Sequence, residues 1–203
     1  GYATLSDQRF SNNSYGVIIK YNSDGDFEWQ TSFNGQGNSI KQTNDGGYVI
    51  CGSVLKKPSP STSFRYHSLI IKTDQNGVKL WEWKYQISSG DSWGESIQQT
   101  NEGGYIFTGS TLTGTPNNNS NIYLLKTKSN GSQENYRGFD IPESNGNFGC
   151  CDSSRYVIQT SDGGYLITGE TTSRYGGSRS VYLMKTNENL EKQWEKFYGG
   201  FKS

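Results

Sequence analysis

Thr43-Asn44-Asp45-Gly46-Gly47-Tyr48 decides the fold, because the same word comes back twice. It returns as Thr100-Asn101-Glu102-Gly103-Gly104-Tyr105 and as Thr160-Ser161-Asp162-Gly163-Gly164-Tyr165. A second word, a short apolar run closed by Lys, occurs four times: Val17 to Lys20, Leu69 to Lys72, Tyr123 to Lys126 and Tyr182 to Lys185. The four lysines stand 52, 54 and 59 residues apart. Short apolar runs and glycine turns, repeating at a period of about fifty residues, predict an array of small β-sheets rather than one conventional core.

Each unit reads as four strands. The first covers Ser39–Thr43, Ser96–Thr100 and Tyr156–Thr160. Asp45-Gly46, Glu102-Gly103 and Asp162-Gly163 then predict tight hairpins of type I′, with positive φ at both central residues. The second strand starts at Tyr48, Tyr105 and Tyr165 and is expected to end at Gly52, Gly109 and Gly169. The third is the Lys-terminated run, whose unbroken apolar character predicts a strand covered on both faces.

The fourth strand carries Trp29, Trp81 and Trp194. Counting outward from Asp24-Gly25 and Asn76-Gly77 puts Lys20 opposite Trp29 and Lys72 opposite Trp81. Lys185 and Trp194 have the same spacing, although their turn lacks Gly, and the third repeat has Asn135 in place of Trp. The expected contact is a lysine stem covering the ring with its ammonium on the indole face. Asp74-Gln75-Asn76-Gly77 faintly resembles the start of a calcium loop but lacks the later acidic ligands, so it reads as turn chemistry.

Four-stranded antiparallel units of this size, set radially, are the blades of a β-propeller. The expected architecture is therefore all-β: one array over 1–203, with blades at about 1–35, 36–87, 94–138 and 154–200. Gly1-Tyr2 matches the start of a second strand, and Phe201-Lys202-Ser203 stops short of a first strand. Either the ring closes on four blades, one of them incomplete, or the chain belongs to a larger propeller of about six to eight blades. A partial array would expose blade faces at both ends, to be covered by additional blades or other chains.

The pattern in Gln42 to Tyr48, Gln99 to Tyr105 and Gln159 to Tyr165, with Lys72-Thr73, Lys126-Thr127, Lys185-Thr186 and Tyr198-Gly199-Gly200, resembles the secreted β-propeller repeat proteins of bacteria, archaea and some protists. The resemblance covers nearly the whole chain. It implies the propeller fold and an extracellular or surface location, and it supplies no shared activity and no catalytic residues.

Composition narrows the classes. Only 31% of residues are hydrophobic while 14% are aromatic and 26 are Gly, which suits sheets packed through flat side chains. Nineteen basic residues balance nineteen acidic ones, leaving no single-sign field for nucleic acid. Apolar runs of about four or five residues are too short for a transmembrane helix. The acceptors Asn12, Asn118 and Asn130 stand in Asn-x-Ser triplets, where N-glycosylation in an extracellular setting is possible.

Of three cysteines, Cys51 takes a strand position held by Thr108 and Thr168 and reads as a small buried filler. Cys150 and Cys151 are adjacent, where a mutual disulfide would be strained, and a bridge to a distant Cys is the alternative. Neither pattern is a metal site, and no metal or cofactor is expected.

The turns joining first to second and third to fourth strands lie on one edge, and the longer connections at 53–66, 87–95, 110–121, 137–155 and 170–180 on the other. Variation confined to one edge is how such scaffolds carry binding. Arg65, Tyr66, His67, Trp93, Phe148, Arg174, Tyr175 and Arg179 are the exposed candidates there, the aromatics for stacking and the arginines as polar clamps. Enzymatic chemistry finds little support. The one His precludes a multi-His metal centre, and a serine nucleophile would rest on His67 without a Gly-x-Ser-x-Gly elbow. Sialidases are propellers with loosely similar Asp-Gly turns, yet no Arg triad with a Tyr-Glu pair is visible here. The expected function is a non-enzymatic extracellular propeller that serves as a protein-interaction or structural module of a surface assembly. A carbohydrate-binding propeller is the alternative, with a glycan-processing enzyme behind it. The connections do not repeat while the framework does, which favours protein contact over repeated glycan sites.

Overall fold

The computed structural model describes residues 1–10, 13–56, 64–112, 120–141, 152–172 and 179–199. Those residues form four antiparallel sheets and no helix. The first sheet holds β1 (Tyr2–Phe10), β2 (Asn13–Tyr21) and β3 (Phe27–Asn34). The second holds β4 (Gln36–Gln42), β5 (Tyr48–Lys56), β6 (Arg65–Thr73) and β7 (Lys79–Tyr85). The third holds β8 (Ser92–Gln99), β9 (Tyr105–Leu112), β10 (Ser120–Thr127) and β11 (Gln133–Phe139). The fourth holds β12 (Ser153–Gln159), β13 (Tyr165–Thr171), β14 (Ser180–Thr186) and β15 (Lys192–Tyr198). Every strand pairs with its sequence neighbours, so each sheet is a meander.

The core lies between sheets. Ile18 and Phe33 of the first sheet meet Ile50, Leu69 and Ile71 of the second. Val49, Ile70 and Tyr85 meet Ile97, Phe107 and Leu125 of the third, and Ile106, Leu124 and Phe139 meet Val157, Ile167 and Met184 of the fourth. The second and third sheets are covered on both faces, and the unbroken apolar runs of β6 and β10 are buried accordingly. In the fourth sheet β13 alternates buried with half-buried residues, since one face is open. The opening strands β4, β8 and β12 lie together: Asn38 Nδ2 donates to Gly94 O (2.9 Å), and the Val157 amide donates to Ser96 Oγ (3.4 Å). Lys41 Nζ of β4 reaches past the third sheet to Tyr156 Oη of β12 at 3.2 Å.

Three expectations are corrected. The hairpins are not type I′. Gly46, Gly103 and Gly163 have φ near +80°, while the residues before them do not have positive φ. The Gly46 amide donates to Thr43 O and the Thr43 amide to Gly47 O, each at 2.9 Å, which is a three-residue loop ending in a left-handed Gly. The turns at Gly25, Gly77 and Gly131 follow the same scheme. The counted Lys–Trp register still holds, because a bulge beside each turn adds back one residue: Lys20 faces Trp29, Lys72 faces Trp81, Lys185 faces Trp194 and Lys126 faces Asn135.

The second strands do not stop at their glycines. They run on to Lys56, Leu112 and Thr171, with Gly52, Gly109 and Gly169 inside them. At these points the carbonyls of Gln36, Trp93 and Ser153 come so near that a Cβ would overlap them. Each lies beside a bulge in the opening strand, at Asn38, Glu95 and Arg155. The glycine is a close-approach residue, not a stop.

The lysines do not place their ammonium groups on the indoles. Lys72 Nζ lies 2.9 Å from Asp45 and donates to Thr73 O, and Lys185 Nζ does the same with Asp162 (2.9 Å) and Thr186 O. Lys126 pairs with Glu134 (3.1 Å) and Lys20 with Glu28. Glu28 and Glu134 are the extra residues of their bulges, and Gln193, in that place in the fourth sheet, accepts from Lys185 at 3.3 Å. A carboxylate or amide one bond away from a buried lysine outcompetes a ring face.

Candidate functional site

The repeated word Thr-x-Asp-Gly-Gly-Tyr is now legible as a structural site. Asp45 accepts from Thr43 Oγ1, from the Gly47 amide (3.0 Å) and from Lys72 Nζ. Those donors, Thr43 first, hold its carboxyl down to about 2. Asp162 repeats the arrangement with Thr160, Gly164 and Lys185, and is likewise lowered to about 2. Asp74 accepts from the Asn76 and Val78 amides (2.9 Å each), which is the turn chemistry expected of it. Among the described residues no cluster of His, Cys, Asp and Glu has the composition of a metal site.

The opposite edge, with the longer connections, holds the candidate binding residues. Extension of β5, β6 and β8 places several of them in strands instead of loops. Arg65, Tyr66 and His67 open β6, opposite Lys56, Leu55 and Val54. His67 is buried rather than exposed, at 4% accessibility, and burial lowers its pKa so that the neutral imidazole is favoured. Trp93 lies in β8 opposite Ser110 and packs on the Tyr66 ring at 5.9 Å between centroids. These two aromatics pin neighbouring sheets together, and the Tyr66 amide donates to Asp91 (2.8 Å). Cys51 is a free, fully buried thiol in β5, as its position suggests. Asn130 is exposed in the turn before β11, with its Oδ1 accepting from Ser132. Asn12, Asn118, Phe148, Cys150, Cys151, Arg174 and Tyr175 lie outside the described residues.

The structure adds a pocket that the sequence does not disclose. Between the third and fourth sheets, a half-open cavity of about 210 Å³ is lined by Ser120, Asp152, Ser153, Arg155, Glu170, Thr172 and Arg179. Among the described candidates, the exposed Arg179 is the one found in it. Arg179 Nη1 and Arg155 Nε each lie 3.5 Å from a different oxygen of Glu170. Ser120 Oγ donates to Asp152 O at 2.6 Å, tying the third sheet to the fourth. Glu95, the bulge residue of β8, is raised by burial and partly drawn back by Arg155. Two guanidinium groups, two carboxylates and three hydroxyls make a wall with no formal charge. Such a wall suits a hydroxyl-rich or carboxylate-bearing group, because the ion pairs are long enough to open toward a new partner. Sequence reasoning misses Arg155 and Glu170 because they come from different strands. The one signal is that Arg155 falls where Asn38 and Glu95 stand, a polar position that breaks strand alternation.

No protein-family model matches the chain, and no curated protein sequence matches it.

Proposed function

We propose that the chain is a β-propeller array of the extracellular or cell-surface kind, acting without catalysis as a protein-interaction or structural module. The observation that carries the radial reading is the bond from Lys41 to Tyr156, which joins the opening strands of the second and fourth sheets. Sheets stacked in chain order, with their first strands convergent, are what blades require. The short turns repeat their chemistry while the opposite edge differs from sheet to sheet, which supports recognition through the varied edge. The pocket around Arg155 and Arg179 is its concave feature, and its hydroxyl and guanidinium lining suits polar side chains of a partner.

A glycan array and a partner capture from surface extracts, run with wild type and Arg155→Ala, test this reading. Capture that fails in Arg155→Ala with a silent array supports it. Glycan binding lost in Arg155→Ala would replace it with a carbohydrate-binding module.

A further inference from the structure

His67 is the one histidine of the chain, and it stands where two sheets meet. Side chains alternate along a strand, so His67 shares a face of β6 with Leu69 and Ile71, and that face packs on Ile18 and Phe33 of the first sheet. Its cross-strand partner is Val54 of β5. The link from β3 to β4 runs over the same spot: at Gly35 a Cβ would lie 3.2 Å from Val54 Cβ and 3.0 Å from Leu69 Cδ2. The imidazole is buried in this seam, and its Nε2 has no hydrogen-bond partner among the described residues. The same repeat position holds Asn121 in β10 and Ser180 in β14, which carry no charge near neutral pH. Of the three, His67 alone can gain one there.

A neutral imidazole tolerates an unpaired nitrogen at modest cost. An imidazolium does not, because both nitrogens then carry protons and the charge must be taken out of water. The groups around the ring fail to compensate. Burial acts first, Lys56 of β5 and Lys84 of β7 add to it, and together they hold the imidazole below its ordinary 6.5 against the pull of Asp91. Asp91 is already engaged, since its Oδ1 accepts from the Tyr66 amide at 2.8 Å. The Ser68 amide likewise donates to Ser92 Oγ at 3.1 Å. These two bonds matter because pairing with β7 begins only at Ser68, so residues 65–67 have no strand on that side. A folded value below the unfolded one means that the neutral ring's contribution is complete above 6.5 and is lost as pH falls through that value. Asp45 and Asp162, held near 2, act far below this range.

We infer that His67 is an acid-sensitive catch on the varied edge: once protonated, its ring turns out of the seam toward water, and residues 65–67 part from the first sheet and from Asp91. Tyr66 then leaves the Trp93 ring on which it packs, so two of the candidate contact residues shift together. The catch works whatever this edge binds.

Nuclear magnetic resonance of the 203-residue chain tests it directly, because a single histidine gives a single ring Cε1–H signal. The midpoint of that signal should lie below 6.5. Between neutral pH and about one pH unit under that midpoint, the amides of Tyr66 and Ser68 should lose roughly tenfold or more of their exchange protection after correction for intrinsic rates, while the Leu124 amide of β10 keeps its own. His67→Asn, the residue of β10 at this position, should stay folded and show no such loss. Glu95, raised by burial, titrates with the opposite sign in both proteins and so cancels in the comparison. A midpoint at or above 6.5, or a lowered midpoint with unchanged protection at Tyr66 and Ser68, would overturn the proposal. An equal loss of protection in His67→Asn would do the same. Should that variant not fold, the wild-type midpoint and exchange decide alone.

Discussion

The interface between the second and third sheets and the one between the third and fourth solve the same problem with opposite residues. In one, Trp81 and Trp83 cover a bare Gly131; in the other, Leu190 fills the turn and Asn135 makes way. The missing Trp of the third repeat and the missing Gly of the fourth therefore meet across one interface. The comparison teaches that residue choice in this array is set by the contact between neighbouring sheets. A single repeat is not self-contained, as expected where each sheet buries its face only by stacking.

The sharpest way to break the comparison is to put the two solutions together. Gly131→Leu sets a side chain into the space of Trp81 and Trp83 at a left-handed φ of 82°. Left-handed strain of roughly 1–2 kcal/mol and overpacking of roughly 1–3 kcal/mol should together lower unfolding free energy by about 3 kcal/mol, read from denaturant melts. Asn135→Trp, facing Leu190, should cost about 1–3 kcal/mol by itself. Asn135→Trp combined with Leu190→Gly should recover most of that loss, giving a coupling of about 1 kcal/mol or more in a double-mutant cycle. Purely additive losses would mean that the sizes of residues 135 and 190 are unrelated.

A second comparison uses two tyrosines at one repeat position. Tyr123 Oη bonds Ser68 Oγ (2.6 Å) and Trp93 O (3.1 Å), whereas the buried Tyr182 Oη has no hydrogen-bond partner among the described residues. Ile122 in the third sheet stands where Ser68 stands in the second, so the fourth sheet meets no hydroxyl there. Tyr123→Phe should cost about 1–3 kcal/mol by leaving Ser68 and Trp93 groups unpaired, while Tyr182→Phe should change stability by less than about 0.5 kcal/mol.

The smallest effect should come from acid. Asp45 and Asp162 are held near 2, below the ordinary value of about 3.9 for Asp. A depressed carboxyl stabilises the fold above its unfolded value, and that contribution is lost as pH falls from about 4 toward 2. Both groups are largely solvent-exposed, so the loss is a modest slope in the melting midpoint. Asp45→Asn with Asp162→Asn should flatten that slope, and Glu102→Gln should flatten it less, since Glu102 is lowered chiefly by its own backbone amide and Thr100.

Much of the framework is readable from spacing because local chemistry sets it. Glycine after Asp or Asn forces a turn, and an apolar run between two turns can hide only in a sheet covered on both faces. The Lys–Trp register survives even the wrong turn type, since turn and bulge shift it in opposite directions by one residue. The ammonium partners were not readable. Asp45 and Lys72 belong to different hairpins, and only the assembled sheet brings them to 2.9 Å. The burial of His67 was not readable for a related reason. Pairing of β5 with β6 continues past Gly52, and so turns His67 inward and Trp93 onto Tyr66.

The sequence by itself determined four sheets, their strand order and the Lys–Trp register of the closing hairpins, because hairpins between adjacent strands depend on a few consecutive residues. Tertiary structure alone decided which side chains meet across sheets: the pairing of ring with bare turn and the pocket beside Arg155. Those contacts join residues about fifty positions apart, where the spacing of short words carries no information about what stacks on what.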